Sequence, residues 1–204
     1  MKRTRYILVA LLCTLLSVAA HAQSTAITGA RRAEVLSAIA AAQQPEAGKT
    51  LKYTFVQTKH SPLLAQDAVS KGDLTLVGDR TMRWQYTEPQ AFLLAVEGDS
   101  IYTVADGKRH SLSGASGKMT RGLSQMMMQM TDGASIVNDK LFDATLSEEG
   151  GSYSVALVPK RRDMKRMMQQ AVLTFDRKTL RIKSVRLIEK EDSYTEIVFK
   201  GVKE

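Results

Sequence analysis

One cysteine, one tryptophan, four prolines and three histidines are all that the 204 residues hold of these types. The single Cys13 lies inside the N-terminal apolar run, so the chain can form no internal disulfide, and downstream of that run it has no thiol nucleophile. Two of the histidines, His60 and His110, stand far apart in the remaining sequence. No H-E-x-x-H, G-x-S-x-G or glycine-rich phosphate loop occurs. The acidic residues gather at turn-like sites (Glu97/Asp99, Glu148/Glu149, Glu189/Glu191/Asp192), where turn chemistry accounts for them without a catalytic dyad. Catalysis and a metal centre are therefore not expected. Aromatics make up only 6% of the chain, too few to interleave with the formal charge of +8, which disfavours nucleic acid as a partner.

Long hydrophobic runs are also scarce. The one present, Tyr6 to Ala20, is too short for a comfortable membrane span and follows Lys2, Arg3 and Arg5. Ala20-His21-Ala22 has the small-x-small form of a cleavage site. Residues 1–22 are thus expected to be a cleaved signal peptide, with residues 23–204 forming a single periplasmic domain; an uncleaved anchor is the alternative. Cys13 follows Leu12 rather than the small residues a lipidation signal needs. Removal of the leader leaves 182 residues, 26 basic against 21 acidic, and no cysteine. Such a chain must stand on its hydrophobic core.

The remaining sequence is mostly of period two. Ile27 to Gln44 is the first exception: Ile27, Val35, Leu36 and Ile39 fall near one stripe of a helix that Pro45 and Gly48 would end. From Leu51 onward, apolar and polar residues alternate. Leu51, Tyr53 and Phe55 form one such row, Leu74 and Leu76 a second, and Met82, Trp84 and Tyr86 a third. Strand-like segments follow at 91–96, 101–104, 108–112, 141–146, 153–158, 171–175, 180–189 and 194–199, separated by turns rich in Gly and Asp. About eleven antiparallel strands are expected. The second exception spans Met119 to Thr131, where Met119, Leu123, Met126, Met127 and Met130 recur at helical spacing; a short helical piece is expected near 163–169.

The methionines and the basic run invite functional readings. Met119–Met130 suits the core face of a helix, or a yielding lid or ligand surface, or soft-metal Cu(I) ligation. Lys160, Arg161, Arg162, Lys165 and Arg166 place five basic residues within seven, suited to a solvated loop or to an anionic partner surface.

Several stretches resemble one family. Phe55-Val56-Gln57, Gly72-Asp73-Leu74-Thr75-Leu76, Arg83-Trp84-Gln85-Tyr86-Thr87-Glu88-Pro89, the Val96–Tyr102 hairpin and Leu157-Val158-Pro159-Lys160 are similar, in order and spacing, to the periplasmic lipoprotein carriers of the LolA family. The resemblance implies a mainly β fold with helices: an unclosed antiparallel β-barrel of about eleven strands, with an N-terminal helix and a helical lid over an apolar cavity. It implies a carrier of acylated lipoproteins or lipids, supplied by an inner-membrane ABC exporter and relieved by an outer-membrane acceptor. The arginine that ties the family's lid has no direct match here; Gly78 stands near its place, and Arg80, two residues on, is the candidate replacement. Alternation alone selects Tyr53, Phe55, Leu74, Leu76, Met82, Trp84, Tyr86 and Leu93 as cavity lining. Arg80, Met119, Leu123, Met126, Met127 and Met130 are the lid candidates, and the five basic residues of 160–166 the partner surface. A monomer without cofactor is expected. The rival function is an envelope sensor of lipids or lipoproteins built on the same fold.

Overall fold

The computed structural model describes residues 24–43, 45, 49–78, 81–98, 100–112 and 141–203. In chain order the elements are β1 (Thr25–Ile27), α1 (Gly29–Gln43), β2 (Thr50–His60), β3 (Ala68–Val77), β4 (Thr81–Glu88), β5 (Phe92–Glu97), β6 (Ser100–Ala105) and β7 (Lys108–Ser111). After them come β8 (Phe142–Glu149), β9 (Ser152–Pro159), α2 (Arg162–Met167), β10 (Gln170–Asp176), β11 (Ile182–Ile188) and β12 (Tyr194–Lys203). Each segment of alternation from Leu51 onward became a strand. The additional one is β1: Ile27 does not start the helix but sits in a three-residue strand opposite Leu146 of β8. Three residues are too few for a period to show.

All twelve strands join one antiparallel sheet in the order β1-β8-β9-β10-β11-β12-β2-β3-β4-β5-β6-β7. Among the described residues, β1 and β7 are its two edges, and the sheet is not closed. Most neighbours are joined by tight turns. Asp106 and Gly107, with φ of 50° and 72°, make the two-residue link from β6 to β7 in the left-handed geometry that matches strand twist. Two pairings join strands distant in sequence: β1 with β8, and β12 with β2, which unites the two halves of the sheet.

The register carries one apolar face across the sheet. Ile27 opposes Leu146, Leu146 opposes Val155, and Val155 opposes Leu173. From Leu173 the row passes through Val185 to Ile197. On the far side of the β12–β2 seam, Phe199 opposes Phe55, and Tyr53 opposes Leu74, which opposes Trp84, which opposes Leu94. Helix α1 lays Val35, Leu36 and Ile39 onto the first half of this face, against Phe142, Leu146, Val155, Leu157, Leu173 and Phe175. The second half, on β12 and β2–β5, is a separate cluster of Leu51, Tyr53, Phe55, Leu74, Leu76, Met82, Trp84, Leu94, Val96 and Ile197. Phe199 and Ile182 touch both clusters.

Candidate functional site

The second cluster is where the sequence-selected residues meet. Tyr53, Phe55, Leu74, Leu76, Met82 and Trp84 all lie in it and are all buried; Tyr86 packs at its margin. Aromatic rings form its centre. Phe55 lies 4.9 Å from Trp84 and 5.2 Å, edge on, from Tyr86. Phe199 of β12 adds edge contacts to Tyr53 at 5.6 Å and to Trp84 at 6.0 Å. Such tilted and edge-on pairs suit the ring quadrupoles.

Gly72 makes this ring packing possible. It opposes Phe55 on one side and Tyr86 on the other. A Cβ at Gly72 would stand 1.9 Å from the Gln85 carbonyl oxygen and 2.8 Å from Cζ of Phe55. The β3–β4 register also shifts beside it: Lys71 opposes Glu88 and Gly72 opposes Tyr86, which makes Thr87 the extra residue of a bulge.

Leu93 requires a correction. It opposes Gln85, on the other face of the sheet, and packs with Ala95 and Tyr102. The residues of β5 that share the face of Trp84 are Phe92, Leu94 and Val96. Strand β5 is apolar on both sides, so its sequence runs without alternation from Phe92 to Val96 and gives no phase. Pairing with Trp84 supplies it. Phe199 and Ile197 were missed for another reason: their row belongs to the last strand, and only the β12–β2 register places it beside Phe55.

Polarity rises along this face toward one end of the strands. Beyond Phe55, the same face of β2 carries Gln57 and then Lys59. The Tyr86 hydroxyl donates to Gln57 Oε1 at 2.8 Å. Lys59 Nζ pairs with Glu189 at 3.0 Å, and Thr195 Oγ1 donates to the same carboxylate at 3.0 Å. Trp84 is 4% exposed; among the described residues its Nε1–H makes no well-formed hydrogen bond, although it lies close enough to the Tyr86 phenol to act on it.

Burial pushes the Tyr86 phenol above its ordinary value of 10.0, an effect the Trp84 side chain opposes. A raised folded-state pKa stabilises below the unfolded value and loses that contribution as pH climbs through the folded one. Wild-type stability is therefore expected to fall as pH rises from the ordinary tyrosine value of 10.0 upward through the raised one, and Tyr86→Phe to flatten part of that fall. Urea midpoints measured across this range decide it; identical slopes for both proteins would remove Tyr86 from the account.

The other expected site residues divide in two. Arg80, Met119, Leu123, Met126, Met127 and Met130 lie outside the described residues. The basic run is described: Lys160 pairs with Asp143 at 3.0 Å, and Arg161 with Asp163 at 2.7 Å. The Arg161 guanidinium holds the exposed Asp163 carboxyl below the usual carboxylate range. Helix α2 then exposes Arg162, Lys165 and Arg166, while Met164 packs back toward the α1-side core. Of the two downstream histidines, His60 pairs through Nδ1 with Asp67 at 2.7 Å and stacks on Tyr194, and His110 lies exposed on β7. Among the described residues, no group of three or more His, Cys, Asp or Glu converges as a metal site.

Residues 46–204 match the family described as "Outer membrane lipoprotein carrier protein LolA". The chain belongs to the LolA family. The match takes in every strand from β2 to β12, and with them the whole aromatic cluster. Among solved structures, a LolA superfamily protein from Nitrosomonas europaea is 12% identical, with 84% of this chain and 92% of that one covered at a TM-score of 0.44. MucB, in the Pseudomonas aeruginosa MucA/MucB complex, is 13% identical over 83% of this chain at a TM-score of 0.44; the match spans 56% of that chain, little more than half its length. The lipoprotein LppX from Mycobacterium tuberculosis is 13% identical over 82% of this chain and 96% of its own, at a TM-score of 0.38. Membership rests on the family match. Among curated proteins, no sequence matches the chain significantly.

Proposed function

We propose that this LolA-family chain is a periplasmic carrier that binds the acyl chains of lipoproteins or lipids along the aromatic face of β2–β5 and β12. The observation that carries this is the concentration of buried apolar side chains on one face of an open sheet, in the half where α1 does not pack. Tyr53, Phe55, Leu74, Leu76, Met82 and Trp84 would meet the chains, with Leu94 in the place expected of Leu93. Burial of each CH₂ stabilises by about 0.8 kcal/mol, so a few chains give ample affinity from carbon contacts alone. In this proposal residues 1–22 direct export, residues 23–204 form one monomeric domain, and cargo passes from an inner-membrane ABC exporter to an outer-membrane acceptor. Lys160, Arg161, Arg162, Lys165 and Arg166 would face the protein partners. The activity proposed is binding and transfer, not catalysis.

Solvent extraction of the protein purified from the envelope, followed by mass spectrometry, is expected to recover acyl lipids or acylated peptides. A lipid-free protein that also fails to take up a fluorescent acyl probe would refute the proposal.

A further inference from the structure

Exposed leucines and unpaired cations meet at one rim of the sheet. Strands β9, β11 and β2 end there, and β10, β12 and β3 begin there. Helix α2 crosses this rim from β9 to β10, the turn 189–193 joins β11 to β12, and the loop 61–67 joins β2 to β3. Four strand spacings, about 19 Å, separate α2 from that loop, so one broad surface can touch both. The polar end of the aromatic face, at Lys59, lies at the same rim.

The loop 61–67 is an ordered projection. His60 Nδ1 meets Asp67 at 2.7 Å across its base, the Leu64 amide donates to the Ser61 carbonyl at 2.9 Å, and Ser193 Oγ donates to Ser61 Oγ at 3.3 Å. The loop held in this way leaves Leu63 87% and Leu64 44% exposed. Helix α2 supplies the charge. Arg162, Lys165 and Arg166 stand three and four residues apart, on the side away from Met164, which packs on the core. None of the three has an ion pair among the described residues, because the nearby acids are engaged: Asp143 by Lys160, Asp163 by Arg161, Glu189 by Lys59 and Asp67 by His60. The turn 189–193 adds Lys190 against Glu191 and Asp192, which leaves the cations in excess. Met167, at the end of the same helix, is 49% exposed.

Apolar side chains held outward beside unpaired cations match a surface that is apolar beneath a layer of negative charge. We infer that this rim docks on an anionic phospholipid bilayer, with Leu63, Leu64 and Met167 entering the acyl boundary and Arg162, Lys165 and Arg166 meeting lipid phosphates. An acidic protein surface would match the cations but not the leucines. Partners embedded in a membrane, as proposed above, present such a bilayer beside them. The docking goes beyond acyl-chain binding, since it uses the outside of the rim, and it brings the polar end of the aromatic face against the membrane.

The protein purified from the envelope is expected to sediment with vesicles of phosphatidylcholine and phosphatidylglycerol in equal parts, and to be released by salt. Arg162→Gln, Lys165→Gln and Arg166→Gln together are expected to weaken this binding on the order of a hundredfold and to erase the preference over pure phosphatidylcholine. Leu63→Ser with Leu64→Ser is expected to weaken binding to both kinds of vesicle by about tenfold or more. All five positions are exposed, so urea midpoints should stay at the wild-type value and separate lost docking from lost folding. Wild-type protein that takes up a fluorescent acyl probe yet stays free of both vesicles overturns the docking and leaves the carrier function standing. Docking without probe uptake refutes the carrier function alone. Variants that bind like wild type overturn the assignment of the rim. Binding to native envelope vesicles only, abolished when protease strips their proteins, gives the rim to a protein partner and overturns the lipid docking.

Discussion

Gly72→Ala is expected to destabilise the protein by about 3 kcal/mol or more, at the top of the range for over-packed sites. One methyl group suffices because the nearest obstacle is main chain. The added Cβ would stand 1.9 Å from the Gln85 carbonyl oxygen, in a strand pair already bent by the bulge at Thr87. The Phe55 ring, at 2.8 Å, is the lesser obstacle. Phe55→Leu should therefore fail to rescue Gly72→Ala, and the double mutant should be at least as unstable as the worse single. Urea denaturation of the four proteins in the cycle measures this. A Gly72→Ala midpoint within error of wild type would show that β3 and β4 can part without cost, against the close approach seen here.

Gln43→Leu is the second large effect, expected at about 2–4 kcal/mol, because it strands two main-chain groups at once. Gln43 is 2% exposed at the last position of α1. Its Nε2 donates to the Leu180 carbonyl at 2.7 Å and to Ile39 at 2.9 Å, and its Oε1 accepts from the Ile182 amide at 3.1 Å. One amide side chain thus stands in for the strand pairing that the β10–β11 turn lacks, and it fastens the helix to the sheet. Arg181 donates to the Ala42 carbonyl beside it. Leucine has the volume but none of the bonds. Amide hydrogen exchange should show α1 opening more readily, with the β2–β5 half little changed. Equal acceleration in both halves would argue against a local fastening.

Strand alternation made most of this fold legible in the sequence. Rows such as Leu51/Tyr53/Phe55 and Met82/Trp84/Tyr86 are half-polar, so their phase can be read without a structure. Strand β5 cannot be read that way, because Leu93 and Leu94 are both buried, on opposite faces; only pairing with Trp84 tells them apart. Gln43 was illegible for a similar reason. A glutamine near a helix end is ordinary in sequence, and its importance comes from Leu180 and Ile182, 137 and 139 residues away. The burial of the Trp84 indole beside Phe55 and Tyr86 is likewise a property of surroundings: the sequence gives the ring, and only packing shows what encloses it. The basic run at 160–166 showed the opposite. Its sequence suggested one charged patch, whereas pairing with Asp143 and Asp163 leaves Arg162, Lys165 and Arg166 to present it.

The seam between β12 and β2 has a consequence in time as well as in space. Thr54 reaches the Lys200 carbonyl across 146 residues of chain, and the two strands stay paired from Tyr194 with His60 to Lys203 with Lys52. The β2–β7 meander and the β8–β11 meander can each form from local hairpins, whereas their sheets become continuous only when the last strand pairs with β2. Loop closure over such a span comes before its contacts can repay it, so the seam is expected to form late in folding. Until then the aromatic row on β2 lacks Phe199 and Ile197 and stands uncovered along that side. In the export proposed above, a chain crossing the membrane in order of synthesis would spend that interval with its aromatic row incomplete on the β12 side.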